Sequence, residues 1–222
     1  MKRTLAVLIL VIAAGIAGAW YLRGSGSIIH QQSPLAVKGQ ILARLGAMDC
    51  YTYTQNITVS SGNVTVRSSV EGGLNNGTYY FHGRRSGTEW WGTIRGCHLV
   101  ERVVNAGEKK EFNINLTENE LSAMMMYEPV QLAIRALGSS DKVSVSGQWL
   151  VCNFTLPETG GGSPETFAGT IKVKFNDHYI PTRLIVDSIV TSNGETVKRV
   201  SFSADIKEEC WIPEWEKILE TG

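Results

Sequence analysis

The chain carries no excess of either charge. Its 21 Lys and Arg balance 21 Asp and Glu, and the basic residues are spread rather than gathered in a stripe. A nucleic-acid partner is therefore excluded as a reading. The four cysteines, Cys50, Cys97, Cys152 and Cys210, include no C-x-x-C pair. Among His30, His82, His98 and His178, only His98 neighbours a cysteine, and no zinc-ligand spacing results. No phosphate-binding loop, dinucleotide fingerprint or nucleophile elbow is present. Triad residues need not be adjacent in sequence, but nothing here points to one. The expectation is a non-enzymatic protein with no catalytic residues, no metal and no cofactor.

Long apolar runs are also scarce: there is one. Lys2 and Arg3 precede Leu5 to Leu22, which holds no charged residue. As a helix it would reach about 27 Å, near the thickness of a bilayer core. Two membrane readings fit. A cleaved signal peptide would use the small residues Ala17-Gly18-Ala19. An uncleaved signal anchor accounts better for the length of the run and for Trp20 and Tyr21 at an interface. No cysteine lies in or just after the run, so a lipidated N-terminus of the bacterial kind is not available. The expected organisation is a signal anchor over 1–23, a Gly/Ser/Gln tether over 24–32 and one soluble domain over 33–222. Its expected location is the cell membrane, with a single pass and the domain on the extracytoplasmic side.

Five N-x-Thr sequons begin at Asn56, Asn63, Asn76, Asn115 and Asn153. Of eleven asparagines, chance would give roughly one or two. They point to a glycosylating export route, in agreement with the N-terminal run. An even cysteine count in such a domain favours two disulfides. Three pairings are possible; Cys50–Cys97 with Cys152–Cys210 is preferred, and four buried thiols are the alternative.

Within the domain, Ser33-Pro34 signals a helix start, followed by Leu35, Lys38, Ile41, Leu42, Leu45 and Met48 at helical spacing. Tyr51, Tyr53, Ile57 and Val59 then alternate with polar residues as a half-buried strand. Turns are read at Ser60–Asn63, at Gly72-Gly73 with Asn75-Asn76-Gly77, and at Arg84–Gly87, so residues 50–95 form a four-stranded meander. A capping box at Thr117-x-x-Glu120 opens a helix that Pro129 breaks and Gly138 ends. Strands follow at 142–155, 170–175, 181–190 and 197–206, with a mobile loop at Gly160–Pro164. Trp211 and Trp215 sit in a short covering helix at the tail. Strand follows strand without crossover helices. The fold class is α+β: a single curved antiparallel sheet, an open half-barrel, covered by the N-terminal helix and the broken central helix.

Met124-Met125-Met126 beside Pro129 makes the broken helix adaptable to irregular apolar partners. Leu121, Met124, Met125 and Tyr127 are candidate ligand-lining residues, with plain core packing as the competing reading. Trp90 and Trp91 must point to opposite faces of their strand, which places one of them inside; Trp90 joins the candidates.

The helix from Ser33 to Met48 running directly into Tyr51-Thr-Tyr-Thr-Gln55 resembles the bacterial lipoprotein-carrier superfamily (LolA, LolB) and the mycobacterial lipoproteins LppX and LprG. So does the stretch Ile171 to Val186, a strand, an Asp-bearing turn and an x-Pro-x-Arg strand, followed by Asn193-Gly194 and Val197 to Ile206. The resemblance covers about residues 33 to 207. It implies a half-open antiparallel barrel with helices in its mouth, and an apolar cavity for acyl chains or lipid-modified partners. It supplies no catalytic residues. The chain departs from it in having an apolar anchor where those lipoproteins carry a lipidated cysteine. A tethered receiver or holder is then expected rather than a shuttle. The expected partners are the membrane and a lipid or lipoprotein, with the oligomeric state left open. The competing class is an envelope structural or protein-interaction domain whose core is filled by its own side chains.

Overall fold

The computed structural model describes residues 32–158, 165–210 and 212–215. The chain divides into two units, Met1–Ser33 and Pro34–Gly222. The apolar run over 5–22, nearly all of the tether, the loop expected at Gly160–Pro164, Trp211 and the tail beyond Trp215 lie outside the described residues. Among the described residues, no helix is long and apolar enough to cross a membrane.

Among its described residues the second unit is an eleven-stranded, wholly antiparallel sheet with three α-helices. Helix α1 (Pro34–Gly46) leads into β1 (Cys50–Ser61), β2 (Val64–Asn75), β3 (Thr78–Arg85), β4 (Thr88–Arg95), β5 (His98–Asn105) and β6 (Glu108–Asn115). Helix α2 (Glu118–Met124), a 3-10 turn (Met125–Tyr127) and α3 (Pro129–Ser139) come next. The chain returns to the sheet as β7 (Val143–Ser146), β8 (Trp149–Glu158), β9 (Glu165–Phe175), β10 (Pro181–Ser192) and β11 (Glu195–Lys207). The strand order is β6-β5-β4-β3-β2-β1-β11-β10-β9-β8-β7. The sheet does not close on itself; its edges are β6 and β7, and β11, the last strand in the chain, lies beside β1. This is the expected open half-barrel.

Six strands, not four, precede the broken helix, and five follow it. Residues 98–115 form a β5–β6 hairpin that sequence alternation does not announce, because β6 is exposed along its whole length and so has no apolar face to betray its period. Its Lys109, Lys110, Glu108 and Glu111 are charges of the kind that keep an edge strand from pairing with another chain. Gly72 and Gly73 lie inside β2, paired with Tyr53 and Thr52, rather than in a turn. Asn76 and Gly77 do turn the chain, at φ 48° and 75°, as an Asn-Gly hairpin requires. Expected strand 142–155 is a hairpin, β7 and β8, turning at Gly147.

One transverse row runs the full width of the sheet: Val145, Leu150, Val173, Leu184, Ala204, Gln55, Val70, Gly83, Trp90, Val103 and Lys110. The core sits toward its β7 end, where Leu150, Val173 and Leu184 are fully buried. Helix α1 packs on α3 and on β7, β8 and β10, and α3 packs on β8 and β9. The buried stripe of α1 is Val37, Ile41 and Leu45; Leu35, expected inside, is exposed. The stripe falls at i, i+4 and i+8 from Val37, so Leu35 is carried off the packed face. Facing it on α3, Leu132, Ala133, Ala136 and Leu137 are fully buried. Each leucine contributes about 1.5–3 kcal/mol by leaving water. Lys38 Nζ donates to the Ser140 carbonyl at 2.5 Å, tying α1 to the end of α3.

One disulfide joins Cys50 to Cys210, with Cα atoms 4.9 Å apart. The preferred pairing is overturned: Cys97 is an exposed thiol and Cys152 a buried one. Topology decides this. Thr52 pairs with Lys207, so the start of β1 and the end of β11 bring Cys50 and Cys210 together across 160 residues of sequence. Cys97 turns between β4 and β5, while Cys152 faces the core opposite Ile171. Beyond the disulfide, residues 212–215 form no helix. Trp215 lies against Tyr80 and His82 at ring distances of 6.3 and 6.4 Å.

Candidate ligand cavity

The inner face of β1–β4 is built from glycines and aromatic rings in register. Tyr53 pairs with Gly72, Gly72 with Phe81, Phe81 with Gly92 and Gly92 with Glu101. The rings lie over the glycines. A Cβ on Gly92 would stand 2.2 Å from Phe81 Cζ, one on Gly83 2.2 Å from Trp90 Cε2, and one on Gly72 2.5 Å from the Tyr53 hydroxyl oxygen. Any side chain there would have to displace a ring, so these glycines lay the rings down as a floor.

Above the floor runs the broken helix. Thr117 and Glu120 form the expected capping box, with Glu120 Oε2 accepting from the Thr117 backbone N–H at 2.7 Å and the Glu120 N–H donating to Thr117 Oγ1 at 3.3 Å. Pro129 opens α3 after Glu128 as N-cap. Between floor and helix lies a cavity of about 350 Å³, within the size range of small-molecule sites. Of the residues proposed from sequence to meet a ligand, Trp90, Met124, Met125 and Tyr127 border this cavity. Leu121 does not; it packs beside them in a satellite cluster with Ile94, Leu99 and Leu116. Trp91, on the opposite face, stacks on His82 at 5.2 Å.

Sequence reasoning missed the polar head of the cavity. Gln55 sits on the apolar face of β1, 3 % exposed, and its Nε2 donates to the Tyr127 carbonyl at 3.0 Å. The signal was there: Tyr51, Tyr53, Ile57 and Val59 alternate, and Gln55 interrupts them. Glu128 is 7 % exposed. Its Oε2 accepts from the Gln131 N–H at 2.6 Å, and Gln131 Nε2 donates to the Tyr79 hydroxyl at 3.0 Å. Glu128 Oε1 and the Tyr51 hydroxyl are both buried and lie near each other, and neither completes a hydrogen bond of good geometry among the described residues.

Burial pushes the Glu128 carboxyl up to about 7, against the backbone N–H groups of Gln131 and Val130 and the Tyr51 hydroxyl, which favour its charged form. Burial also raises the hydroxyls of Tyr51, Tyr53 and Tyr79, reinforced by the charge of Glu128. Glu101, at the far end of the floor, is raised by burial too. Two carboxyl groups thus face an aromatic cavity.

The five sequon asparagines, Asn56, Asn63, Asn76, Asn115 and Asn153, are all exposed, and Thr170 Oγ1 donates to Asn153 Oδ1 at 2.8 Å. Among the described residues, no three His, Cys, Asp or Glu side chains gather as a metal site.

The structure is an open antiparallel sheet with helices packed against it, which is the architecture expected from sequence. No protein-family model matches the chain, and no curated protein matches it in sequence. Solved structures do. A putative outer membrane lipoprotein-sorting protein domain from Vibrio parahaemolyticus matches 84% of this chain and 97% of its own, at 11% identity and a TM-score of 0.42. A DUF1329 family protein from Desulfovibrio piger matches 85% and 100%, at 9% identity and a TM-score of 0.38. A LolA superfamily protein from Nitrosomonas europaea matches 85% and 97%, at 9% identity and a TM-score of 0.33. At these identities the likeness concerns the fold alone.

Proposed function

We propose that residues 33–222 form an extracytoplasmic module that holds a lipid or another apolar ligand in the half-barrel cavity, tied to one membrane by the N-terminal segment. The observation that carries this reading is the roughly 350 Å³ of space left between the aromatic floor and the Met-rich broken helix. A domain filled by its own side chains would have closed that space, because native cores pack as densely as organic crystals. Methionines above and flat rings below suit a chain of variable shape. A disulfide and five exposed sequons support an extracytoplasmic location. The tether and the single apolar run suit a fixed receiver or holder of lipid or lipoprotein in the envelope better than a diffusing shuttle. The module binds and does not catalyse.

Mass spectrometry of small molecules extracted from the gently purified full chain is the test. A copurifying apolar molecule, or saturable uptake of a neutral apolar fluorophore lost in Trp90→Ala, is the expected result. A uniformly empty protein that also ignores the fluorophore overturns the reading.

A further inference from the structure

The cavity has a chemical bias that its size alone does not convey. Its described lining includes two carboxylic acids, Glu101 and Glu128, and no basic side chain. Glu128 is more than nine-tenths buried, and its Oε1 completes no hydrogen bond of good geometry among the described residues, although the equally unsatisfied Tyr51 hydroxyl lies beside the carboxyl. A buried carboxyl oxygen without a full hydrogen bond is costly to the fold, so a ligand atom that donates to it gains what the fold forgoes. The rings of Tyr53, Tyr79 and Trp90 stand around the same space, and aromatic faces attract cations. An anionic head would meet two acids there with no compensating base in the lining. Lys198 Nζ lies 6.0 Å from the centroid of the Tyr127 ring, but Lys198 is not part of the lining.

We propose that the cavity selects an amphiphile with a protonated amine head, whose N–H donates to Glu128 Oε1 while its alkyl chain lies along Phe81, Ile94 and the methionines. This rests on the apolar-ligand reading above and names the ligand class for that site. Proton balance follows from the chemistry. With Glu128 neutral, the ammonium displaces the carboxyl proton to solvent and pairs with the carboxylate that remains. With Glu128 already ionised, it pairs directly. Affinity for the ammonium therefore rises with pH as Glu128 gives up its proton near 7 and falls again only where the amine itself deprotonates. The other titratable groups facing Glu128 are Tyr51 and Tyr53 from β1 and Tyr79 from β3, all held neutral by burial in this range. Glu101, from β5, adds a second acid of the same sign at the other end of the floor.

The test uses the full chain in zwitterionic lipid nanodiscs, with empty discs as control and methionine methyl groups labelled with carbon-13. Octylammonium, octanoate and octanol are titrated at pH 6 and pH 7.5, and the Met124 and Met125 methyl signals report occupancy. Octylammonium is expected to bind tightest of the three at pH 7.5, with its affinity rising roughly tenfold from pH 6. Glu128→Gln, which keeps an acceptor for the Gln131 N–H, removes that rise. Octanoate or octanol binding as tightly as octylammonium to the unaltered chain overturns the proposal while leaving the apolar-ligand reading intact. So does an octylammonium affinity that ignores pH. If none of the three moves the methionine methyls, the apolar-ligand reading falls as well.

Discussion

The ring of Phe81 occupies the space that a side chain at Gly92 would need. The two residues pair directly across β3 and β4, and a Cβ on Gly92 would stand 2.2 Å from Phe81 Cζ. Gly92→Ala must therefore lift the ring into the cavity. We expect a loss of about 1–3 kcal/mol from overpacking together with weaker uptake of an apolar fluorophore. Urea unfolding and a binding titration on the same sample check both. An alanine variant of unchanged stability and affinity would show that the floor has room that the register denies it.

Glu128 should make stability fall with pH. Its folded value of about 7 stands above the 4.5 of an exposed glutamate, so between those values the folded chain keeps a proton that the unfolded chain releases. Stability contributed by this group is complete below about pH 4.5, declines through the window and is flat above about pH 7. The total is on the order of 3 kcal/mol. Unfolding free energies of the wild type and of Glu128→Gln at pH 5 and pH 8 check this. The variant should lose most of the difference, and an equal slope in both proteins would assign the effect elsewhere.

Gln55 should control how readily the broken helix opens. Its 3.0 Å bond to the Tyr127 carbonyl is a fixed point between strand β1 and the 3-10 turn. Gln55→Leu keeps the volume and removes the donor. The expected cost is about 1–2 kcal/mol, and amide exchange should quicken over residues 124–128 before it quickens in the sheet. Exchange rising uniformly through the domain would contradict this.

Thiol counting separates the cysteines. Without denaturant or reductant, an alkylating reagent should modify one cysteine, the exposed Cys97; denaturant adds the buried Cys152; reductant adds Cys50 and Cys210. Replacing Cys50 and Cys210 by serine should cost about 2–5 kcal/mol, since the bridge closes a long loop of chain. Four alkylated cysteines in denaturant without reductant would exclude the bridge.

Much of the architecture is legible along the chain because each cue is local. Ser33-Pro34, Thr117 with Glu120, Pro129 and Asn76-Gly77 act within a few residues, and each ends or begins an element where expected. The alternation of Tyr51 and Tyr53 marks a buried face because a strand repeats every two residues. Strand β6 escapes notice for the same reason: exposed on both faces, it has no period to read. Gly72-Gly73 misleads because glycine serves turns and close ring contacts alike, and only the register of β1 and β2 tells which.

The sequence by itself determined the helix starts and the antiparallel class, since these depend on nearest neighbours and on apolar periodicity. Tertiary structure decided what depends on residues far apart in the chain meeting. It placed β11 beside β1 and so joined Cys50 to Cys210. It seated Leu121 in the satellite cluster rather than the cavity wall. It also buried Glu128 against Tyr51 and Tyr79, more than fifty and nearly fifty positions away respectively. A carboxyl group's burial is not written in its neighbours along the chain, and it is that burial which gives the cavity its chemical character.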